Sequence, residues 1–284
     1  MHANNDQYKS YAKINLGLQI LERLPDNYHQ IYTIMQEIDF YDCIEIQKKQ
    51  NIHISLETHG PINVPEDSNN LCIKAAELIY KNYNINHGIH ITLNKNIPIG
   101  SGLGGGSSNA AYILRTLNNL FNLDISNHDL HQFAFQLGCD VPFFINGGVQ
   151  LAEGKGEKLS VINLNLSKYI ILLVIPTFQM STKKAYNFFK NNLPKTIDSY
   201  KFRTFQNDID WSLFENDFES VVNLTYPEVG SIRKILEMEE ALFVSLSGSG
   251  STMFGVFDDL SKANVAKQAL KSYDCHIVKP INKN

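Results

Sequence analysis

The chain has 284 residues, 43% of them hydrophobic, and a formal net charge of −4. That length and apolar content suffice for a sizeable core in one large or two ordinary domains. The mild charge balance argues against a nucleic-acid coat or a polybasic membrane anchor.

The opening stretch MHANNDQYKS lacks the apolar run of a secretory signal. No apolar stretch approaches the roughly 20 residues of a membrane span. Cys43, Cys72, Cys139 and Cys275 lie far apart without a CxxC pair, and the nine histidines form no HExxH motif. These features predict a cytoplasmic globular protein with buried thiols and no dedicated metal site, partnered by neither nucleic acid nor membrane.

In SYAKINLGLQI, Ala12, Ile14, Leu16, Leu18 and Ile20 alternate with Tyr11, Lys13, Asn15 and Gly17. The period predicts a half-buried strand with Lys13 and Asn15 on its polar face. LPDNYHQ breaks that strand. Apolar alternation over residues 31–40, 44–46 and 52–56 then predicts successive antiparallel strands. Residues 70–83 read as an amphipathic helix, and GIHITLNKN as a strand. A helix follows to about Phe121, and another opens at Ser126 with Asp129 three residues on and stops at Gly138.

A second unit begins near residues 161–168. YIILLVI is a strand, Ser181 opens a helix, and further helices cover residues 214–224 and 228–239. Two strands flank the glycine–serine turn of SLSGSGSTMFGVF, and a helix and a last strand close the chain. The mixture predicts an α+β protein in two domains, residues 1–163 and 164–284.

Between the strand ending near Asn96 and the helix ending near Phe121 lies IPIGSGLGGGSSNAA, with five glycines in the seven residues from Gly100 to Gly106. Glycine permits close backbone approach and positive φ. A helix opening there adds unpaired N–H groups and a positive dipole end, which together favour a phosphate. Ser107 and Ser108 are placed to cap the helix or to offer hydroxyls to phosphate or a metal. No Lys follows the glycines, so this is not a P-loop. Gly100, Gly102 and Gly105 satisfy GxGxxG, but no strand carrying an acidic residue follows at the spacing a dinucleotide fold requires.

PIGSGLGGGSSNAA resembles the central phosphate-binding motif of the GHMP kinases. AKINLGL (residues 12–18) and SLSGSGSTMFGVF (residues 245–257) resemble the first and third motifs of that family, in the same order. DNYHQI and GCDVPFF are similar to stretches of the branch that phosphorylates a cytidine-bearing alcohol, although Asn27 stands where that branch usually has Gly. The alternatives are homoserine- or mevalonate-type kinases of the same superfamily, a catalytically dead nucleotide binder, and an RNA-binding protein. The last is disfavoured by the net charge of −4.

The resemblance implies a two-domain fold, an ATP-binding α+β domain followed by a ferredoxin-like domain. It implies ATP as phosphoryl donor, Mg²⁺ carried with the nucleotide, a small-molecule alcohol as acceptor, and a monomer or weak homodimer. Asp140 becomes the base and Lys13 its cationic partner. Pro98, Ile99, Gly100, Ser101, Gly102, Leu103, Gly104, Gly105, Gly106, Ser107 and Ser108 become the ATP loop, with Asn69 bordering the adenine. Asn15, Tyr28, His29, Thr182 and Tyr186 become substrate contacts, the two tyrosine rings sandwiching a cytosine. Read alone, Asp140 is equally an N-cap, Lys13 a solvated edge lysine, Tyr28 a turn residue, and Tyr186 a helix residue packed on Phe189.

Overall fold

The computed structural model describes residues 8–26, 28–178, 180–189 and 209–283. Asn27, whose turn the sequence singled out, lies outside them. Packing divides the chain into two compact units that interleave along the sequence.

One unit comprises Met1–Ala12, Phe40–Ile99 and Gly104–Asn146. Strand β1 runs over Tyr8–Arg23 and β2 over His29–Lys49, so each contributes one end here. β3 (Ile54–His59), α1 (Leu71–Asn82) and β4 (Gly88–Asn94) follow. β4 pairs antiparallel with β2 through residues 43–49, and β3 lies parallel to β4. Asn70 caps α1 by accepting from the Cys72 amide. α2 (Gly105–Phe121), α3 (Asn127–Leu137) and the single turn α4 (Phe143–Asn146) complete the unit. Ser126 caps α3 from the Asp129 amide, as its spacing predicts. Buried Ile73, Ala76, Ile79, Ile113, Leu114, Leu117, Ile89 and Ile91 supply its apolar core.

The other unit comprises Lys13–Asp39, Gly100–Leu103 and Gly147–Asn284. β5 (Val149–Gly154) pairs antiparallel with β2 through residues 31–36, and β6 (Lys158–Val161) pairs with β5. β7 (Ile170–Ile175), α5 (Thr182–Phe188), α6 (Asp217–Thr225), α7 (Glu228–Met238), β8 (Phe243–Leu246), β9 (Met253–Phe257), α8 (Leu260–Ala269) and β10 (Asp274–Val278) follow. Four of these strands form a sheet in the order β10-β7-β9-β8. That is the 4-1-3-2 order of a ferredoxin-like βαββαβ unit. Leu172, Val174, Leu246, Met253 and Phe257 of the sheet pack with Phe218, Val222, Ile232 and Leu236 of the helices. Among the described residues, no helix is long and apolar enough to cross a membrane.

Three expectations change. Residues 31–46 do not form separate strands; β2 is continuous over 21 residues. β3 does not join an antiparallel series, because the α1 crossover returns the chain in the same direction to β4. The middle of β1 has no solvated face: every residue from Ala12 to Ile20 is buried.

The C-terminal segment binds the middle of β2. Ile281 N–H donates to the Glu37 carbonyl (2.8 Å), and Gln36 Nε2 donates to the Ile281 carbonyl (2.9 Å). The fully buried Glu37 carboxylate accepts from the Gly148 amide (2.8 Å) and pairs with Lys283 Nζ (2.6 Å). Removing one partner of a buried pair strands the other charge. Lys283 is about a third exposed, so Lys283→Met should cost about 1–3 kcal/mol. Thermal melting should show a drop of several degrees, and adding Glu37→Gln to Lys283→Met should recover part of it. A melt matching the parent would show that this strap contributes nothing.

Candidate active site

α2 opens on bare backbone. Its N-cap is Gly104, at φ +70°, and no side chain caps the helix. Ser107 and Ser108 therefore lie inside the first turn and do not cap it. The Ser108 hydroxyl points inward, fully buried, and accepts from Ser10 Oγ at 2.7 Å. The first amide groups of α2 thus remain available to an anion. Gly106 is exposed. A methyl on it would lie 3.5 Å from Leu71, so the junction of α1 with the loop before it borders this first turn. Asn69 is exposed in that loop, its amide donating to Asp67 Oδ1 at 2.9 Å.

A buried polar cluster braces this helix start. Asp42, fully buried, accepts through Oδ1 from the amides of Asn96 (2.7 Å) and Ile97 (2.8 Å). Its Oδ2 accepts from Lys95 Nζ (2.6 Å) and Asn109 Nδ2 (2.9 Å). Lys95 also donates to the Ile97 carbonyl at 2.6 Å, and Asn109 to Ser10 Oγ at 2.9 Å. Burial pushes the Lys95 ammonium below its ordinary range, and Asp42 opposes that shift. A side chain at Gly105 would come within 2.9 Å of Lys95 Nζ, so the ammonium sits against the first turn. The sequence reading missed Asp42 and Lys95, because their pairing spans 53 positions.

Asp140 is half-buried on the segment between Gly138, which ends α3, and α4. Val141 N–H donates to the Gly138 carbonyl at 3.2 Å, which fixes the bend that carries Asp140.

In the other unit, Lys13 is 2% exposed and is no solvated edge residue. Its Nζ donates to Asn15 Oδ1 at 2.5 Å, and Asn15 Nδ2 donates to Thr33 Oγ1 at 2.9 Å. Thr33 Oγ1 donates in turn to the Gly17 carbonyl at 2.5 Å. The third motif reaches the same place, because a methyl on Gly248 would lie 3.5 Å from both Lys13 Nζ and Asn15 Oδ1. Residues 100–103 are clamped from two sides. The Lys13 amide donates to the Leu103 carbonyl (3.0 Å), the Thr252 amide to the Ser101 carbonyl (3.0 Å), and Ser247 Oγ to the Gly102 carbonyl (2.9 Å). Pro98 is half-buried, Ile99 and Gly100 are exposed, and the Ser101 and Leu103 side chains turn inward. Asn216, the N-cap of α6, donates to the carbonyls of Leu246 (2.6 Å) and Gly248 (2.9 Å). It braces the third motif, and only its position before an acidic helix start signalled it in the sequence.

The loop between β1 and β2 presents Tyr28, 53% exposed, beside buried His29. The His29 ring stacks on Tyr186 at 5.1 Å and 16°, and Tyr186 meets Phe218 edge-on at 4.8 Å. Burial, with Arg23 assisting, lowers the His29 pKa below its ordinary 6.5, so the ring stays neutral at neutral pH. Its Nε2 is buried without a hydrogen-bond partner among the described residues. Thr182 is the first residue of α5, and its side chain lies outside the described part.

A family model described as GHMP kinases N terminal domain matches residues 70–148, and one described as GHMP kinases C terminal matches residues 201–274. The chain is 40% identical over 275 residues to a 4-diphosphocytidyl-2-C-methyl-D-erythritol kinase of Chlorobium chlorochromatii (strain CaD3), covering 93% of this chain and 92% of that protein. It is similar to the crystal structure of a 4-(cytidine 5'-diphospho)-2C-methyl-D-erythritol kinase, with a TM-score of 0.78, 26% identity, and coverage of 98% of this chain and 100% of that one. A homoserine kinase of Cytophaga hutchinsonii, at 20% identity and a TM-score of 0.75 over 100% of this chain and 98% of that one, shares the fold alone.

The loop geometry separates two glycines. Gly100 (φ +66°) has open space where a methyl would go, whereas a methyl on Gly102 (φ +81°) would lie 2.0 Å from the Ser247 carbonyl oxygen. Gly100→Ala should therefore cost about 1–2 kcal/mol from backbone strain alone. Gly102→Ala should cost more, by forcing the third motif away, and should weaken ATP binding if this loop holds the nucleotide. Melting curves and ATP titrations of both variants check this; equal behaviour would refute the clamp.

Proposed function

We propose, from the premise that this chain belongs to the GHMP kinase family, that it transfers the γ-phosphoryl group of ATP to the 2-hydroxyl of 4-diphosphocytidyl-2-C-methyl-D-erythritol. That reaction serves the non-mevalonate route to isoprenoid precursors. The observation that carries the kinase reading is the uncapped start of α2 at Gly104, where bare amides and the helix dipole suit the phosphates of a nucleotide.

Phosphoryl transfer is mostly positioning and charge stabilisation. Residues 98–108 hold the phosphates, largely through backbone. Lys13, stiffened by burial and by Asn15, stabilises charge on the attacking oxygen and on the transferring group. Asp140 receives the hydroxyl proton. Tyr28, His29, Thr182 and Tyr186 recognise the cytidine, with stacking supplying contact and polar groups supplying choice of base. Asn15 steadies Lys13 and meets the substrate. Mg²⁺ would arrive on the nucleotide and keep several of its waters. When bound, Mg²⁺ neutralises phosphate charge. The nucleotide-binding part is assigned to residues 1–163 and the substrate-side part to residues 164–284.

The test is ADP release from ATP and Mg²⁺ with three alcohols in parallel: the diphosphocytidyl methylerythritol, mevalonate and homoserine. Turnover should occur with the first alone. Asp140→Asn should lower kcat about 10²–10⁴-fold. Turnover with another alcohol would discard the cytidine reading, and an Asp140→Asn rate within a few-fold of the parent would remove Asp140 as the base.

A further inference from the structure

The turn joining β5 to β6 lies outside the residues assigned above to phosphoryl transfer, yet its tip is built to aim one charged side chain. Gly154 (φ +72°) and Gly156 (φ +113°) flank Lys155. The Lys155 amide donates to Glu157 Oε2 at 2.6 Å, and the Gly156 amide to the Glu153 carbonyl at 3.1 Å, so the tip is fixed from within. From there the Lys155 ammonium meets two residues of the β1–β2 loop. It pairs with Asp26 Oδ2, and it stands 4.7 Å from the centre of the Tyr28 ring.

Asp26 ties these contacts together. Its Oδ1 accepts from the Tyr28 amide at 3.2 Å while Oδ2 takes the lysine, and the hydrogen bond from Lys155 holds its carboxyl below the ordinary range. The Leu24 amide donates to the Tyr28 carbonyl at 2.7 Å. The backbone of Tyr28 is therefore held by its own loop. Its ring, 53% exposed, meets the Lys155 ammonium at one face.

We propose that Lys155 is a positioning residue for the nucleotidyl alcohol, which fixes the Tyr28 ring by occupying one of its faces and leaves the other for the base. The inference rests on the cytidine reading above. A side chain ordered before binding need not be ordered by the ligand, so the gain appears in substrate affinity. Both contacts of the ammonium are surface contacts of modest strength, which sets the expected effect at about three- to tenfold. Lysine at this tip thus tunes specificity without touching the reacting atoms.

The experiment compares the parent with Lys155→Met, Lys155→Arg, Tyr28→Ala and the double variant Lys155→Met/Tyr28→Ala. KM for the cytidylyl alcohol, KM for ATP, kcat and melting temperature are read for each. Lys155→Met should raise KM for the alcohol about three- to tenfold while the other three quantities hold. Lys155→Arg should retain most of the affinity, because a guanidinium makes both contacts. The double variant should be no weaker than Tyr28→Ala, since the lysine acts through the ring. An unchanged KM in Lys155→Met beside a raised KM in Tyr28→Ala would overturn the inference and leave the cytidine reading standing. Additive losses in the double variant would also overturn it, by showing that the lysine acts elsewhere. A silent Tyr28→Ala would remove the cytidine stacking reading, and the inference with it.

Discussion

A helix that opens without a side-chain cap leaves its first amide groups unsatisfied, and α2 opens in that way at Gly104. In an ordinary helix an Asn or Ser would fill the position, as Asn70 and Ser126 do for α1 and α3. A glycine there forfeits only about a few tenths of a kcal/mol relative to Asn or Ser, and it leaves the first amide groups open to a ligand that brings its own acceptors. Several other features follow from this constraint. The approach to the helix must turn through positive φ at Gly102 and Gly104. Gly100, Gly102 and Gly104 have no side chains with which to hold the loop, so its backbone carbonyls are gripped by others. In one unit the Lys13 amide, the Thr252 amide and the Ser247 hydroxyl grip residues 101–103.

The same constraint explains an ion pair that stability alone would not favour. A cation against a helix N-terminus opposes the dipole, yet Lys95 lies against the first turn of α2. Asp42 offsets the charge and spends its other oxygen on the amides of Asn96 and Ile97, just before the glycine loop. One carboxylate thus organises the strand end, the buried lysine and, through Asn109, the second turn of α2. The cluster gives the bare helix start a rigid seat. Its polar groups are themselves buried, so each must find a partner inside the protein. That need explains why Ser10, Ser108 and Asn109 all face inward.

Local rules were legible in the sequence. The limits of α1 and α2, the Ser126 cap and the hairpin around the glycine–serine turn follow from spacing and from residues a few positions apart. What escaped depends on partners far along the chain. The alternation of β1 reads as one wet face, but residues 100–103 and the third motif cover that face, so Lys13 and Asn15 are buried. The break that suggested separate strands, at residues 41–43, holds Asp42, a polar residue satisfied at a distance by Lys95, and Glu37 within the first stretch is likewise satisfied by Lys283. Periodicity cannot reveal an internal counter-charge that lies 246 positions from Glu37 or 53 from Asp42.

The two tyrosines that the sequence pairs are treated differently by the fold. Tyr186 is set into a cluster of rings, with His29 stacked on it and Phe218 at its edge, so packing decides its orientation. Among the described residues Tyr28, 53% exposed, stacks on no ring and is steadied by an ammonium on a neighbouring turn. A wall held by packing does not respond to salt or to a single charge substitution. A wall held by an ammonium and a surface carboxylate responds to both. On the proposed cytidine reading, recognition with one wall of each kind would separate two tasks. The packed ring and buried His29 define a shape that the chain cannot change without disturbing its core, whereas the tethered ring can be retuned from the turn at Lys155 without touching either the core or the glycine loop. Variation in substrate affinity with intact phosphoryl transfer should therefore concentrate in the turn and the β1–β2 loop, where the interactions are local, exposed and individually weak.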